Sequence, residues 1–187
     1  MKRTIFLSFF ITNLTILHAD DWDFLPILDS NYRSELCLAV LGGNSHLKKD
    51  NKSSNATSYG VEVSLNCPLI KLPDNIIKQH GSIIGYSKNN IELLSFELNP
   101  YQVFEIDNGT TIGAGPSFGL TSIEIGNKDD TLLTYGLGGS IKKEINDVLF
   151  IGLNAHYLWT SEMHIGDEHL NVDLDNLRIL GKIGYQF

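Results

Sequence analysis

The chain has 187 residues, and its 14 Lys and Arg against 22 Asp and Glu give a formal net charge of −8. This acidic balance disfavours nucleic-acid binding, which depends on basic patches. Only two cysteines are present, so the fold is not built on a disulfide framework. Seventeen glycines, many of them inside apolar stretches, argue against long helices and favour strands.

Residues 1–19 have the layout of a secretory signal peptide. Lys2 and Arg3 precede a mostly apolar run at 5–17, and the small Ala19 follows. The run is shorter than the about 20 residues that a membrane-spanning helix requires. Without this segment the chain keeps 12 Lys and Arg against 22 Asp and Glu, a net charge of −10.

Residues 20–32 show no clean period, so we expect a loosely docked leader on the periplasmic side, followed by one domain at 33–187. Alternation of apolar and polar residues then predicts strands. The first is short, at 36–40, and a polar loop at 42–57 follows it. The second, at 59–67, has the clearest alternation in the chain.

The rest of the chain predicts six further strands. They lie at about 81–86, 92–106, 111–121, 133–144, 149–160 and 177–187. A connector at 69–79, with a helical turn near Asp74, precedes the first of these six, and Pro100 suggests a bulge in the next one. The sequence Asp107-Asn108-Gly109 predicts a tight hairpin turn. A polar, acidic loop at 164–176 leads to the last strand.

The last strand has one apolar and one mostly polar face. The apolar face carries Leu177, Ile179, Ile183, Tyr185 and Phe187. Because the alternation runs as far as Phe187, we expect an apolar environment at this end of the chain.

About eight strands with one apolar face fit a soluble fold or a membrane barrel. In a transmembrane barrel the apolar face meets lipid and the polar face lines the interior. The small or polar second faces favour the membrane, as do aromatic residues near strand ends, namely Tyr157, Trp159, Tyr185 and Phe187. The predicted fold class is therefore all-β, an antiparallel up-and-down transmembrane β-barrel. The alternative is a secreted soluble barrel that binds an apolar ligand inside, which requires the apolar face to point inward.

The signal peptide, the amphipathic strands and the closing strand with Tyr185 and Phe187 resemble the small outer-membrane barrels of Gram-negative bacteria, such as the OmpA transmembrane domain and OmpX. The runs S-F-E-L-N-P at 95–100 and V-S-L-N-C-P at 63–68 are similar to an epsilon-proteobacterial subgroup. The resemblance implies a place in the cell outer membrane, in contact with its lipid and lipopolysaccharide. It also implies that the barrel assembly machinery reads an assembly signal at Ile183, Tyr185 and Phe187. We expect a monomer with no cofactor and no metal.

The position of each residue in the two-residue alternation of its strand, which we call its parity, indicates whether it faces inward. Eight charged residues have interior parity: Glu35, Glu62, Glu97, Glu105, Lys142, Glu144, Arg178 and Lys182. An eight-stranded barrel has an interior just wide enough to be filled by side chains. Charges there must pair or be hydrated. We expect a polar plug in preference to a gated ion path, with Glu35 or Glu62 paired to Arg178 or Lys182. His156 is expected to be a hydrogen-bonded filler of the interior.

The segment His80-Gly81-Ser82 resembles the His-x-Ser pair of outer-membrane lipid acylases and phospholipases. In such an enzyme His80 would be the base and Ser82 the nucleophile. This makes a lipid-modifying hydrolase the alternative function. The first hypothesis is a non-enzymatic outer-membrane barrel, structural, adhesive or weakly conducting.

Three further groups carry possible chemistry. Parity puts Cys37 inside and Cys67 outside, which disfavours a disulfide between them. The last loop is acidic but fits no calcium-binding pattern, and it is expected to be a solvated surface; its residues are Asp167, Glu168, His169, Asp173 and Asp175. The first external loop carries lysines that suit lipopolysaccharide phosphates or simple solvation, namely Lys48, Lys49 and Lys52.

Overall fold

The computed structural model describes residues 22–49, 52–71, 76–88, 91–125, 128–160, 163–165, 168–170 and 175–187, so the predicted signal peptide lies outside it. Eight strands form one closed barrel. They are β1 (Cys37–Lys49), β2 (Lys52–Asn66), β3 (Ile76–Lys88), β4 (Ile91–Asp107), β5 (Thr110–Ile125), β6 (Lys128–Glu144), β7 (Leu149–Thr160) and β8 (Asp175–Gln186). No helix in the described part of the chain is long and apolar enough to cross a membrane.

Each strand pairs antiparallel with its neighbours in sequence, and β8 closes the barrel against β1. The predicted fold class, an all-β, antiparallel up-and-down barrel of eight strands, is confirmed. Cys37 of β1 pairs with Gln186 of β8, so the first and last strands begin and end together. We call this side of the barrel the termini end. The β1–β2, β3–β4, β5–β6 and β7–β8 connections lie on the other side, which we call the loop end.

The alternation in the sequence sets the two faces of the barrel wall. On β7, Ile151 and Leu153 point outward and are about half exposed, whereas Asn154 and His156 are buried inside. Successive strand residues point to opposite faces, so the same division follows every strand. The outer wall is therefore apolar, whereas the interior combines polar and charged side chains with small apolar clusters such as Leu41, Ile84 and Leu180.

Two predicted boundaries were wrong. The expected polar loop at 42–57 is mostly strand, because β1 continues to Lys49 and β2 begins at Lys52. Both faces of these extensions carry polar residues, so the apolar alternation disappears while the backbone pairing continues. Strand β3 begins at Ile76, inside the predicted connector, and the expected helical turn near Asp74 lies outside the described residues.

The bulge predicted at Pro100 was also wrong. The pairs Leu98 with Phe118 and Gln102 with Ala114 share one register, so no residue is inserted between them. In that register Pro100 faces Pro116, and neither residue has an N–H to donate. The register shift lies further along, between Glu105 and Asp107.

The leader is attached to the barrel and not loosely docked. Asp23–Phe24 pairs antiparallel with Ile70–Lys71, which follows β2. A 3-10 helix at Pro26–Leu28 comes next, and the N–H of Leu25 donates to the carbonyl of Leu69 at 2.8 Å. The segment before β1 therefore packs on the β2–β3 connection.

Candidate functional site: the charged barrel interior

Glu62 is the centre of one buried group. Its carboxylate accepts hydrogen bonds from Lys182 Nζ at 2.9 Å and from Asn154 Nδ2 at 2.7 Å. His80 Nδ1 lies 3.2 Å from the same carboxylate, an ion-pair distance without the alignment of a hydrogen bond. Lys182 also donates to Ser140 Oγ at 3.1 Å. The structure thus makes one of the pairings that the sequence suggested, Glu62 with Lys182.

Glu97 is the centre of a second buried group. Arg178 NH1 donates to Glu97 Oε1 at 2.7 Å, and His156 Nδ1 lies 3.4 Å from Oε2. Arg178 pairs with Glu97 and with neither Glu35 nor Glu62, so that part of the pairing prediction was wrong. The reason is distance, since Arg178 and the next charged residue of β8 lie roughly 13 Å apart along an extended strand.

Tyr101 joins the two groups. Its side chain is completely buried, and its hydroxyl lies 3.1 Å from His156 Nε2. Its ring centroid lies 5.0 Å from that of His80. A cation, a carboxylate and an imidazole therefore stand on each side of one phenol. We call this set the interior network: Lys182, Glu62, His80, Tyr101, His156, Glu97 and Arg178.

Gly138 makes room for this arrangement. A Cβ atom at Gly138 would collide with the Tyr101 hydroxyl and would also approach Ser117 Oγ. On the other side of the β6 wall, a Cβ at Gly139 would meet only the Gly113 carbonyl oxygen, at 3.4 Å. The two adjacent glycines therefore have different structural roles.

Two small cavities lie on either side of the interior network. The cavity toward the loop end has a volume of about 30 Å³ and is bordered by Arg178, Ser45 and Thr121. The cavity toward the termini end has a volume of about 20 Å³ and is bordered by His80 and Lys142. Each is large enough for only one or two water molecules. Both cavities are also lined by apolar side chains, such as Leu132 and Leu158 toward the loop end and Phe150 toward the termini end. The network therefore separates two small enclosed spaces.

The other predicted interior charges lie at the termini end, outside the network. Glu35 precedes β1, and Glu144 is at the end of β6; both side chains are about 40% exposed. Lys142 is mostly buried and pairs with Glu144 at 3.0 Å. Glu105 is exposed near the end of β4, where it pairs with Thr111, a residue that borders the cavity toward the termini end. It lies at the register shift of β4, where regular alternation ends.

Glu35 has a partner that the sequence analysis did not consider. Lys78 Nζ donates to Glu35 Oε2 at 3.0 Å. Burial raises the pKa of the Glu35 carboxyl, but the hydrogen bond and the charge of Lys78 outweigh it, so the pKa lies below its ordinary value. The pair closes part of the barrel mouth at the termini end.

His80 and Ser82 both point into the barrel. The contacts of His80 are with Glu62 and Tyr101, and Ser82 Oγ is buried without a hydrogen-bond partner among the described residues. A base and a nucleophile need to lie within hydrogen-bond reach of each other. A bilayer lipid would lie on the opposite side of the barrel wall. This geometry does not provide the pair that a lipid hydrolase requires.

The two cysteines are free, as expected, and both are buried. Cys67 lies just beyond β2, which ends at Asn66, and its side chain is 8% exposed. Within the described residues, no group of His, Cys, Asp and Glu could hold a metal ion. In the acidic loop, Asp167 and Asp173 lie outside the described residues, whereas Glu168–Leu170 forms a small hairpin with Met163–Ile165.

The predicted assembly signal lies on the outer face where β8 closes the barrel. Ile183, Tyr185 and Phe187 are all exposed, Phe187 the most at 69%. The rings of Tyr185 and Phe187 lie 4.9 Å apart. The N–H of Phe187 donates to the carbonyl of Leu36 at 2.9 Å. This hydrogen bond extends the pairing of β8 with β1 by one residue beyond the strand ends.

The sequence analysis missed Tyr101, Asn154 and Lys78 as members of the polar interior. Tyr101 shares the parity of Glu97, but the alternation was interrupted at Pro100, and the signal was lost there. Asn154 had the correct inward parity without a recognised partner. Lys78 lay in the predicted connector, so it was assigned to no face.

Comparison with solved structures places the fold. Neisserial surface protein A (NspA) is 14% identical to this chain and covers 81% of it and 97% of its own length, with a TM-score of 0.56. The attachment invasion locus protein Ail of Yersinia pestis, in complex with the heparin analogue sucrose octasulfate, is 13% identical and covers 83% and 100%, with a TM-score of 0.50.

No protein-family model and no curated protein matches the chain. The closed barrel and these likenesses confirm the resemblance: the chain has the fold of the small eight-stranded outer-membrane β-barrels. The epsilon-proteobacterial subgroup stays a prediction.

Proposed function

We propose that this chain is a non-enzymatic, surface-exposed barrel that resides as a monomer in the outer membrane of a Gram-negative cell. The observation that carries the proposal is the orientation of the barrel wall, whose apolar face points outward and not into the interior as in a soluble barrel. Leu94, Phe118 and Ile179 point outward and are at least half exposed, whereas Glu97 and Arg178 are buried as a pair inside. Apolar side chains over the whole outer wall are stable against lipid and costly against water.

The interior network supports a closed barrel in preference to a conducting one. An ion that crosses the interior must pass the Glu62–Lys182 and Glu97–Arg178 pairs, which lie between two cavities of 20 to 30 Å³. Breaking a buried ion pair leaves an uncompensated charge, which is strongly unfavourable. In a planar lipid bilayer we expect no stable conductance from the wild-type protein. Regular open channels would contradict the closed barrel and favour the weakly conducting alternative.

We propose that the loop end contains the residues that bind molecules at the cell surface. Lys49 pairs with Lys52 and Lys48 pairs with Ser53, so the β1–β2 hairpin brings three lysines to one tip. Juxtamembrane basic residues attract anionic headgroups. We propose that this tip meets lipopolysaccharide phosphates, and that the barrel assembly machinery binds the outward residues of β8.

The test of the membrane proposal is cell fractionation followed by gel electrophoresis in detergent, with and without heating. A closed barrel in lipid is expected in the outer-membrane fraction, with a mobility that changes after heating. A soluble protein with no heat-dependent shift would support the alternative of a secreted barrel.

The hydrolase alternative has its own test. Purified protein is incubated with phospholipid vesicles, and released fatty acid is measured for wild type and Ser82→Ala. We expect no release above the protein-free control from either protein. Release by wild type that disappears in a correctly assembled Ser82→Ala would overturn the non-enzymatic proposal.

A further inference from the structure

The leader exposes an unusual amount of apolar surface. Phe24, Leu25, Ile27 and Leu28 are exposed by 63%, 47%, 53% and 80%. Leu69, in the β2–β3 connection, is exposed by 58%, and its carbonyl accepts the hydrogen bond from the Leu25 N–H. Single exposed apolar residues are common, but a contiguous group marks an interaction site. These side chains belong to no barrel strand, so contact of the barrel wall with lipid does not account for them.

The backbone of the leader is held in place. Besides the Leu25–Leu69 hydrogen bond, Tyr32 Oη donates to the carbonyl of Asn66 at 2.6 Å, and the N–H of Asn66 donates to the carbonyl of Ser34 at 2.7 Å. Leu25 has a φ of 58°, in the left-handed region that bulky residues rarely adopt. A leucine keeps that conformation only where the surrounding contacts impose it. The exposed apolar group is therefore a fixed surface.

This surface is amphipathic. In the ribbon that joins Asp23–Phe24 to Ile70–Lys71, Asp23 lies opposite Lys71, and Phe24 lies opposite Ile70. Residues directly opposite in an antiparallel pair point to the same face. One face of the ribbon is therefore charged and the other is apolar. Such a division suits the boundary between water and lipid.

The ribbon lies at the termini end of the barrel, where the chain passes from β2 to β3. It follows β2, whose outward residues Val61 and Val63 are 50% and 39% exposed, and it precedes β3 at the termini end. The ring centroid of Trp22 lies 6.2 Å from that of Phe24. The Trp22 side chain is partly buried, and its Nε1 has no hydrogen-bond partner among the described residues. The apolar surface of the leader is thus continuous in the chain with the outer wall that the proposed function places against lipid.

Resting on the proposed outer-membrane location, we propose that the leader, residues 22–28 together with Leu69, is an interfacial anchor that inserts into the headgroup–acyl boundary of the leaflet at the termini end. Its occupant is lipid. The anchor holds the barrel mouth at the membrane surface through contacts that the barrel strands do not make.

The chain offers a direct test, because it contains only two tryptophans, Trp22 and Trp159. In a Trp159→Phe variant, Trp22 is the only tryptophan, and its fluorescence reports the leader alone. Protein extracted from membranes is reconstituted into phosphatidylcholine vesicles whose acyl chains are brominated either near the headgroup or near the methyl end. We expect strong quenching by the shallow bromines, weaker quenching by the deep ones and little by aqueous iodide.

Quenching by iodide alone would overturn the proposal, because it would place the leader in water. Trp22 fluorescence that is not quenched by bromine but changes with the protein-to-lipid ratio would also overturn the proposal. That result would indicate that a second copy of the chain covers the leader. In the same background, Phe24→Ser with Leu28→Ser should lose most of the shallow quenching, whereas Asn31→Ser, a change at an exposed polar leader residue, should keep it. The heat-dependent gel shift checks that each variant is folded.

Discussion

At the scale of single residues, the barrel interior buries charged pairs beside small apolar clusters. Glu97 is fully buried and its partner Arg178 nearly so, at a hydrogen-bond distance of 2.7 Å. Desolvation makes a buried pair a weak source of net stability, but the loss of one partner leaves the other charge uncompensated. The consequence is an asymmetry between single and double substitutions.

Glu97→Gln is therefore expected to lower the free energy of unfolding by about 3–5 kcal/mol. The double variant Glu97→Gln with Arg178→Met should recover part of that loss, because no unpaired charge remains. The matched control is Glu105→Gln at an exposed position, which should change the value by less than about 0.5 kcal/mol. Urea unfolding of the protein in lipid vesicles gives these values. Equal effects of Glu97→Gln and Glu105→Gln would contradict the structural role of the buried pair.

A second residue-scale prediction concerns pH. Burial raises the pKa of Glu35, but Lys78 outweighs burial and holds the pKa below its ordinary value of 4.5. A lowered carboxyl pKa in the folded state stabilises the protein above the ordinary pKa, and this contribution is lost as the pH falls through the folded value. Glu35 is partly exposed, so the contribution is less than about 1 kcal/mol.

The measurement is the difference in unfolding free energy between wild type and Glu35→Gln as a function of pH. The difference should be present at neutral pH and should vanish in acid, below 4.5. A difference that persists unchanged into strong acid would show that Glu35 acts through packing and not through its charge.

The sequence predicts which face of a strand a charged residue occupies better than it predicts the residue with which it forms an ion pair. Period-two alternation placed Glu62, Glu97, Arg178 and Lys182 inside, because a strand alternates whatever its neighbours are. Ion-pair partners depend on which residues of different strands lie at the same height along the barrel axis. Those heights follow from the register around the whole barrel, which alternation within one strand does not contain. This is why Arg178 was assigned the wrong carboxylate.

At the scale of elements, β6 shows how two adjacent glycines differ. Gly138 lies beneath the Tyr101 hydroxyl inside the barrel, and Gly139 faces outward with space around it. Gly138→Ala is expected to destabilise the protein by about 1–3 kcal/mol, because the added methyl displaces Tyr101 from its site. Gly139→Ala, the control, should be within about 1 kcal/mol of wild type or slightly more stable. Urea unfolding checks both, and equal effects would contradict the close contact.

Strand β8 carries the second element-scale prediction. Deletion of Phe187 should reduce the fraction of protein that assembles, measured as the heat-shiftable band in the outer-membrane fraction. It removes an outward aromatic residue and the last hydrogen bond of the closing strand. Ile106→Ala is the control, because Ile106 is 60% exposed at the end of β4 but does not belong to the closing strand. If both variants assemble equally well, β8 carries no special signal.

The existence of the eight strands could be predicted from the sequence, but their ends could not. Alternation is visible only where one face is apolar, so the polar extensions of β1 and β2 were mistaken for a loop. A proline was taken as evidence of a bulge at Pro100. The barrel tolerates it without an insertion, because it faces Pro116 in the register of the flanking pairs.

At the scale of the whole molecule, the sequence predicts the fold class, and the structure shows which face of the barrel wall points outward. Alternation alone is the same for a soluble barrel and a membrane barrel. The exposed fractions give the orientation of the wall, with the apolar face outside and the interior network inside. Specific function does not follow from this, because barrels of one fold differ in their loops and sites.

The central claim is that the outer wall contacts lipid and the polar face is enclosed. The most direct measurement is a scan of single spin-labelled cysteines along β7, with Cys37 and Cys67 replaced by serine and the protein in lipid vesicles. The account predicts high accessibility to oxygen dissolved in the bilayer at Ile151, Leu153 and Tyr157, and low accessibility at Asn154 and His156. The opposite phase, or the absence of a two-residue period, would contradict it.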